Sequence, residues 1–314
     1  MTADYSRRVR RYHACLRSAL AALLLTIFTG CSDTTVDTTN SEPPPPAPPP
    51  VLNFTAIPDQ NSTELTEKFA SLATHLSNAL GITFNYIPAR DYQASVEMFR
   101  NGDAQLAWFG GLTGVQAREA VPGARAIAQG DTDPVYFSYF IAHKSAGLTP
   151  GEDFPKDISA LRFTFGSESS TSGRLMPEFF IRDATGKGPM DFFTQPVGFS
   201  GSHDKTVELV ESGQYQLGAV NYKVYDRRVK EGSTDPEAAK VVWKTPPYAD
   251  YNWTAHPDIE MLFGQGFTDK LQSALIAIDD ASLLSALPRD RLIPATNEEF
   301  EGIRAVAKQL EMIR

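Results

Sequence analysis

The chain has 314 residues, of which 42% are apolar and 21% are charged, and its formal net charge is −9. The length is sufficient for two domains with buried cores, and the composition is that of an ordinary globular protein. The acidic balance and the lack of a basic patch in the sequence argue against nucleic-acid binding.

The first 30 residues predict an export signal. Five arginines precede a short apolar stretch at 19–28, and small residues follow it. The stretch is too short for a secure membrane-spanning helix. The next residues, "TGCSD", resemble the lipobox of bacterial lipoproteins, which implies that Cys31 is acylated and becomes the first mature residue. A simple cleaved signal is the alternative.

Removal of the signal changes the charge and the thiol content. The mature chain has 24 basic and 37 acidic residues, a net charge of −13. One cysteine lies in the signal and the other is Cys31, so a lipidated chain has no thiol for a disulfide or a metal site. Residues 31–50 are polar and then rich in proline, which predicts an extended linker between the membrane and a globular body.

The body begins at Val51 with alternating strands and helices. Strands are predicted at 52–58, 82–87 and 104–109, and helices at 63–80, 91–102 and 112–120. The first helix is indicated by Leu65, Phe69, Leu72, Leu76 and Leu80 at helical spacing, with Ser62 or Thr63 as its cap. Asp91 caps the second. Strands that alternate with helices predict a parallel α/β sheet.

A second group of elements follows. Strands are predicted within 135–143 and at 161–165, 192–197, 217–221 and 240–244, and helices at 173–181 and 204–212. The C-terminal segments 266–278 and 297–310 are predicted to be helical. Two α/β sheets of similar size are the economical interpretation.

The stretch "FGSESSTSG" at 165–173 joins a predicted strand to a predicted helix. Ordinary helix capping needs one hydroxyl residue, and this stretch has five. The hydroxyls and free backbone N–H groups of Ser170, Thr171 and Ser172 can converge on an anion at the helix N-terminus without a lysine. Capping alone and anion binding both remain open on this stretch.

Two further stretches favour anion binding. In "AWFGGLTGVQA" a buried strand ends in two glycines, which permit close approach of the backbone to a ligand. In "GFSGSHDKTVELV" the single histidine, His203, stands just before a helix and could donate a hydrogen bond or titrate near neutral pH.

Together with "SSTSGRLMP" and "TPPYADY", these stretches resemble the phosphate/phosphonate-type substrate-binding proteins of ABC importers over most of residues 52–280. The sequences "AWFGGLT" and "GSESSTSGRLMPEF" are most similar to those of a branch of this family that is labelled selenate-binding. The resemblance implies an α/β, two-lobed type II periplasmic-binding-protein fold with a ligand cleft between the lobes. Lobe 1 would comprise 51–140 and 245–314, and lobe 2 would comprise 141–244.

The resemblance also implies roles for individual residues. Ser170, Thr171 and Ser172 would hold the oxyanion, His203 would donate to one of its oxygens, and Tyr92 would reach in from lobe 1. Phe109 and Gly110 would shape the opposite wall, and Tyr248 and Asp250 would lie beside the hinge. Asn221 and Tyr222 stand where some phosphonate binders place a carboxylate for an amino group, so an aminophosphonate is disfavoured.

Asp250 bears on the choice of ligand. A buried carboxylate that faces the site would favour an anion with an O–H group, such as a phosphonate or phosphite monoanion, over selenate or sulfate. A solvated loop position for Asp250 is the alternative.

The expected function is capture of a tetrahedral oxyanion and its delivery to an ABC permease with its ATPase. We expect a monomeric lipoprotein of the cell envelope or periplasm, anchored to the membrane, that needs neither metal nor cofactor. An oxyanion sensor or accessory lipoprotein is the alternative. A phosphate-handling enzyme is disfavoured, because the sequence has no nucleophile elbow and no phosphate-binding loop ending in Gly-Lys-Ser/Thr.

Overall fold

A computed structural model describes residues 49–314. Within this range eleven strands form two sheets, with helices packed against them. The strands are β1 (Val51–Ala56), β2 (Thr83–Tyr86), β3 (Leu106–Phe109), β4 (Arg125–Gly130), β5 (Ser138–His143), β6 (Phe163–Phe165), β7 (Gly198–Phe199), β8 (Leu217–Asn221), β9 (Ala239–Lys244), β10 (Asn252–Ala255) and β11 (Leu292–Pro294). The helices are α1 (Ser62–Leu80), α2 (Tyr92–Arg100), α3 (Gly111–Ala120), α4 (Met176–Thr185), α5 (Pro189–Phe192), α6 (His203–Glu211), α7 (Tyr222–Lys230), α8 (Asp258–Phe263), α9 (Phe267–Ile276), α10 (Ala281–Leu284) and α11 (Glu301–Gln309).

Lobe 1 is built on a six-stranded sheet in the order β11-β4-β10-β3-β1-β2. Its core forms because α1 buries Leu65, Phe69, Leu72 and Leu76, as the sequence pattern predicts. The Phe69 ring lies 5.9 Å from that of Phe54 on β1, in an edge-on contact. The parallel pairs of β1 with β2 and β3 place the ends of β1 and β3 at one edge of the sheet.

Lobe 2 is built on a five-stranded sheet in the order β7-β6-β8-β5-β9. Here β6 runs parallel to β7 and β8, whereas β5 runs antiparallel to β8 and β9. In lobe 1, β10 is likewise antiparallel to β3 and β4. The parallel sheet predicted from the first three strands is confirmed for β1, β2 and β3, whereas no strand is predicted at β4, β10 or β11. A parallel neighbour needs a long crossover, and β5 and β10 instead enter their sheets directly from the segments that join the lobes.

Two extended segments, 131–137 and 245–251, join the lobes. They are paired to each other, because Tyr136 and Tyr248 exchange two N–H···O bonds of 2.8 Å. The Asp250 N–H donates to the Asp133 carbonyl at 3.0 Å. The predicted boundaries at 140/141 and 244/245 stay predictions; the first falls inside β5 and the second follows β9.

Two other local predictions are wrong. Helix α1 is capped by Asn61, whose side-chain oxygen accepts from the N–H groups of Thr63 and Glu64, rather than by residue 62 or 63. The predicted strand at 192–197 is absent from the described chain: α5 ends at Phe192, and Phe193 stacks on Phe163 at 4.6 Å. Pro196 has no N–H for a strand ladder, and the apolar character of the segment serves packing on the sheet.

No helix within residues 49–314 is long and apolar enough to cross a membrane. The predicted signal, most of the linker and Cys31 lie outside the described residues.

Candidate functional site

The hydroxyl-rich turn after β6, whose residues Ser170 to Ser172 we call the cradle, caps the helical segment that follows it. The Ser170 hydroxyl oxygen accepts from the Gly173 N–H at 2.9 Å, and the Leu175 N–H donates to the Ser170 carbonyl at 2.9 Å, which starts a wide π-helical turn at 171–175. A Cβ atom on Gly173 would lie 3.0 Å from Ser170 Oγ and 3.1 Å from the His203 ring, so this position favours glycine. Tight packing therefore fixes Ser170, Thr171 and Ser172, which are all buried.

Thr171 points across the cleft to lobe 1. Its Oγ1 accepts from the Leu112 N–H at the start of α3, at 2.9 Å. A Cβ atom on Gly110 would lie 3.1 Å from Thr171 Oγ1 and 3.2 Å from Asp250 Oδ1. Gly110 thus lets three groups from different parts of the chain meet: the threonine hydroxyl, the carboxylate and the N-terminus of α3.

Asp250 is a buried carboxylate with one unpaired oxygen. Its Oδ1 accepts from the Gly111 N–H at 2.8 Å, whereas Oδ2 has no hydrogen-bond partner among the described residues. Burial raises the pKa of Asp250 to about 7, against the opposing effects of the Gly111 N–H and the Thr171 hydroxyl. The alternative of a solvated loop position is wrong, because the residue is only 1% exposed.

His203 is fully buried at the start of α6. Its Nδ1 accepts from the Asn221 N–H at 3.3 Å, and its Nε2 lies 3.5 Å from Ser172 Oγ. Burial lowers the pKa of His203 to about 3, so the ring is neutral at pH 7 and the alternative that it titrates near neutral pH is wrong. Because Nδ1 is an acceptor, the single ring proton is on Nε2, where it can be donated into the cradle.

The two tyrosines predicted for the site differ in their contacts. The Tyr92 hydroxyl is buried without a partner in hydrogen-bonding geometry. Burial raises its pKa, with Asp59 and Ser170 close enough to act on it. The Tyr248 hydroxyl lies 2.5 Å from Ser138 Oγ, which donates to the Ser172 carbonyl at 2.6 Å. Tyr92 therefore has a free hydroxyl for a ligand, and Tyr248 supports the turn.

Three other predicted residues have their side chains engaged elsewhere. Phe109 packs edge-on against Phe99 at 5.6 Å in the core of lobe 1. The Asn221 side chain caps α7 and donates to the Tyr251 hydroxyl at 2.9 Å. Tyr222 stacks on Phe137 at 3.9 Å. A direct ligand contact by any of the three stays a prediction.

Sequence reasoning missed an inner layer behind the site. Asp133 and Arg289 form a buried ion pair, with Nη2–Oδ1 at 2.5 Å, and the guanidinium lies 5.1 Å from the Tyr136 ring. The Tyr136 hydroxyl is also buried without a partner among the described residues. The run "VYFSYF" gave only a strand signal, and Arg289 is distant in sequence, so these contacts have no local signature.

The site is suited to binding and not to nucleophilic catalysis. A serine–histidine pair needs a free Nε2 lone pair to take the serine proton and a carboxylate at Nδ1–H. His203 has the opposite tautomer, with a backbone N–H at Nδ1. Among residues 49–314, no cluster of three or more His, Cys, Asp or Glu side chains is arranged to hold a metal ion.

Comparisons with known proteins agree with this geometry. Residues 54–300 match the family described as "ABC transporter, phosphonate, periplasmic substrate-binding protein". The chain is 40% identical over 271 residues to the "Probable ABC transporter phosphite binding protein PhnD1" of Prochlorococcus marinus (strain MIT 9301), covering 84% of this chain and 91% of that protein. It is 24% identical to the "Phosphate-import protein PhnD" of Mycolicibacterium smegmatis, covering 95% and 96% of the two chains.

A solved structure shows the same fold. The structure of PhnD1 from Prochlorococcus marinus (MIT 9301) in complex with methylphosphonate superposes with a TM-score of 0.80 at 39% identity, covering 84% of this chain and 99% of that one. The likeness confirms the predicted periplasmic-binding-protein fold.

Proposed function

The chain belongs to the family of phosphonate-binding periplasmic proteins of ABC transporters, and on that premise we propose that it captures a small phosphonate or phosphite with one proton shared between the anion and Asp250. As the substrate-binding component of an importer, it delivers this cargo to the permease and is not an enzyme. The relatives named for phosphite and the one solved with methylphosphonate support the ligand class.

The observation that carries the proposal is the unpaired Oδ2 of Asp250. Asp250 is buried and its carboxylate interacts with the Thr171 hydroxyl, in a site that otherwise presents donors. An ionised carboxylate repels a fully deprotonated anion, whereas an anion O–H group would supply the missing donor. Phosphonate and phosphite monoanions bring this proton with them, whereas sulfate and selenate have none at neutral pH.

The remaining groups suit the other oxygens of a tetrahedral anion. The Nε2–H of His203, the Ser172 hydroxyl and the unpaired Tyr92 hydroxyl are neutral donors in a buried site. Neutral donors stabilise an anion more strongly here than in water, because no solvent competes with them. Selenate is suggested by the sequences of two motifs. It is nevertheless a less suitable ligand than phosphonate or phosphite above neutral pH.

Capture involves closure of the two lobes over the ligand. Thr171 of lobe 2 accepts from the Leu112 N–H of lobe 1, so the closed arrangement is stabilised at the ligand itself. The permease then receives the closed, loaded form.

We further propose a lipid anchor at Cys31 and a monomeric state. The lipobox-like sequence and the proline-rich linker support a tethered receptor in the periplasm. Mass spectrometry of the exported protein tests the anchor: a Cys31→Ser variant should lose the acyl mass and leave the membrane fraction. Light scattering tests the monomer.

Calorimetric titration of the mature protein with methylphosphonate, phosphite, phosphate, sulfate and selenate tests the ligand class. We expect tight binding of a phosphorus oxyanion, and a loss of roughly 100-fold in a Thr171→Ala variant, because a buried bond to a charged group is lost. Ser169→Ala, in the same turn but only half-buried, is the matched control and should bind normally. Binding of sulfate or selenate in preference to all three phosphorus anions at pH 8 would contradict the proposal.

A further inference from the structure

Asp59 is a buried carboxylate that the oxyanion site does not use. It follows β1 and is only 4% exposed. Its Oδ2 accepts from the Tyr251 hydroxyl at 2.8 Å, and its Oδ1 lies 3.4 Å from the Gln60 amide nitrogen. It lies near enough to Tyr92 to raise the pKa of that phenol. A buried negative charge so near an anion site opposes anion binding, so this carboxylate needs another role.

The bonds of Asp59 continue into lobe 2. The Tyr251 hydroxyl oxygen accepts from the Asn221 side-chain amide at 2.9 Å. The Asn221 backbone N–H in turn donates to Nδ1 of His203 at 3.3 Å. Asn221 therefore links the two sides, because its side chain is bonded to Tyr251 and its backbone N–H is bonded to the imidazole of His203.

The main chain around Asp59 makes a second connection to the same helix. The Asp59 carbonyl accepts from the His203 N–H at 3.1 Å, and the Asn61 N–H donates to Asp204 Oδ2 at 3.0 Å. The other oxygen of Asp204 is held by Arg227 and Arg228 at 3.3 and 3.2 Å. Residues 59–61, which we call the latch, thus bind both of the first two residues of α6.

We propose that Asp59 is a positioning residue that fastens the latch of lobe 1 to His203 of lobe 2 in the closed protein. Its carboxylate aligns Tyr251 and Asn221, and its carbonyl holds the start of α6. The latch bonds across the cleft form whenever the lobes meet, with or without a ligand, so Asp59 sets how long the ligand stays and not how fast it enters. This inference rests on the proposed function for its ligand.

Three variants separate the acceptor role of Asp59 from its charge. Asp59→Ala removes the acceptor, and Asp59→Asn keeps an amide oxygen for Tyr251 while removing the charge. Tyr251→Phe breaks the same bond from the other side and preserves the ring that stacks on Trp108 at 5.5 Å. Tyr251→Phe tests the same hydrogen bond if Asp59→Ala fails to fold.

The test is stopped-flow binding of methylphosphonate together with hydrogen exchange of the Asn61 and His203 amides in protein without ligand. We expect koff to rise on the order of tenfold in Asp59→Ala and Tyr251→Phe, with kon within about twofold of wild type, because buried interface bonds act mainly on dissociation. Both amides should exchange faster in these variants. Asp59→Asn should have a koff no higher than that of wild type, because it keeps the acceptor and removes a charge that opposes the anion.

Unchanged koff and unchanged amide exchange in Asp59→Ala and Tyr251→Phe would overturn the inference. Equal effects of Asp59→Asn and Asp59→Ala would also overturn it, because the charge and not the acceptor would then matter. If the wild-type protein fails to bind any phosphorus anion, the proposed function fails, and the amide exchange still decides the role of the latch.

Discussion

The turn of lobe 2 that bears Ser170 to Ser172 and the end of the joining segment that bears Asp250 meet at one point, yet their bonding differs. In the turn, Ser170 Oγ and Thr171 Oγ1 each accept from a backbone N–H, and His203 is held by another. Across the cleft, Asp250 Oδ2 and the Tyr92 hydroxyl are buried without partners among the described residues.

This difference indicates that the turn and the opposite wall of the cleft have different roles in ligand binding. Ser170 and His203 are bonded within lobe 2 and are therefore fixed before the ligand arrives, whereas the bond of Thr171 to Leu112 forms when the lobes close. A buried polar atom without a partner costs free energy on the order of 1–3 kcal/mol, and a ligand that bonds to it recovers that cost. We therefore propose that the cradle accepts many tetrahedral anions and that Asp250 and Tyr92 on the opposite wall select among them by their proton.

Filling the space at Gly110 between Thr171 and Asp250 should have the largest effect on ligand affinity. A Gly110→Ala variant places a methyl group 3.1 Å from Thr171 Oγ1 and 3.2 Å from Asp250 Oδ1, so it should lower the affinity for methylphosphonate roughly 100-fold. Gly302→Ala is the matched control, since nothing lies within 4 Å of its added Cβ atom. Calorimetry measures both, and full affinity in Gly110→Ala would separate this glycine from the site.

The cradle side is tested through the proton on His203 Nε2. His203→Asn can still accept from the Asn221 N–H but has no donor at the Nε2 position, so we expect an affinity loss of roughly tenfold or more. His203→Gln can place an amide N–H near the Nε2 position and should lose less.

Nitrogen NMR of the wild-type ring gives a second check on His203. Because burial lowers its pKa to about 3, the ring should show no protonation step between pH 5 and pH 8. A step in that range would contradict the buried, neutral donor.

The selecting side is tested through the pH dependence of selenate binding. Selenate brings no proton, so wild-type protein must supply one on Asp250, whose pKa is about 7. The affinity of the wild-type protein for selenate should therefore fall about tenfold per pH unit above pH 7. Asp250→Asn needs no proton and should bind selenate equally well at pH 7 and pH 9. A flat profile in the wild type would show that Asp250 does not face the ligand.

The smallest effect is on stability. The folded pKa of Asp250 is raised from 3.8 to about 7, so the folded state holds this proton more tightly than the unfolded state, and the free energy of unfolding falls as pH rises through that window. Asp250→Asn should melt several degrees higher than wild type at pH 8 and equally at pH 4. Burial also raises the pKa of Asp59 to about 6, which adds a further fall in the free energy of unfolding as pH rises. This second fall is the same in Asp250→Asn, because that variant retains Asp59. A constant difference in Tm from pH 4 to pH 8 would contradict the assignment.

Much of the fold could be predicted because its signals are local. The apolar stripe of α1, the Asp91 cap of α2 and the hydroxyl turn after β6 are each contained in a short stretch. Strands β4, β10 and β11, the antiparallel direction of β5 and the Asn61 cap were not predicted, because strand pairing and direction depend on the path of the chain and a cap depends on one side-chain rotamer.

The candidate site divides in the same way. Ser170 to Ser172 and Gly110 could be singled out because the hydroxyl run and the paired glycines are visible in the sequence, and their contact with a ligand stays a prediction. The latch bond of Asp59 to Tyr251 spans 192 residues, and the ion pair of Asp133 with Arg289 spans 156. Only the folded chain brings these groups together, so no spacing rule reveals them.

The central claim is that one proton lies between Asp250 and the bound anion. Calorimetry of methylphosphonate binding at pH 8.5, repeated in two buffers with different enthalpies of ionisation, measures the protons taken up on binding. We predict an uptake close to one proton per ligand in the wild type and close to none in Asp250→Asn. No uptake in the wild type, or equal uptake in both proteins, would contradict the account.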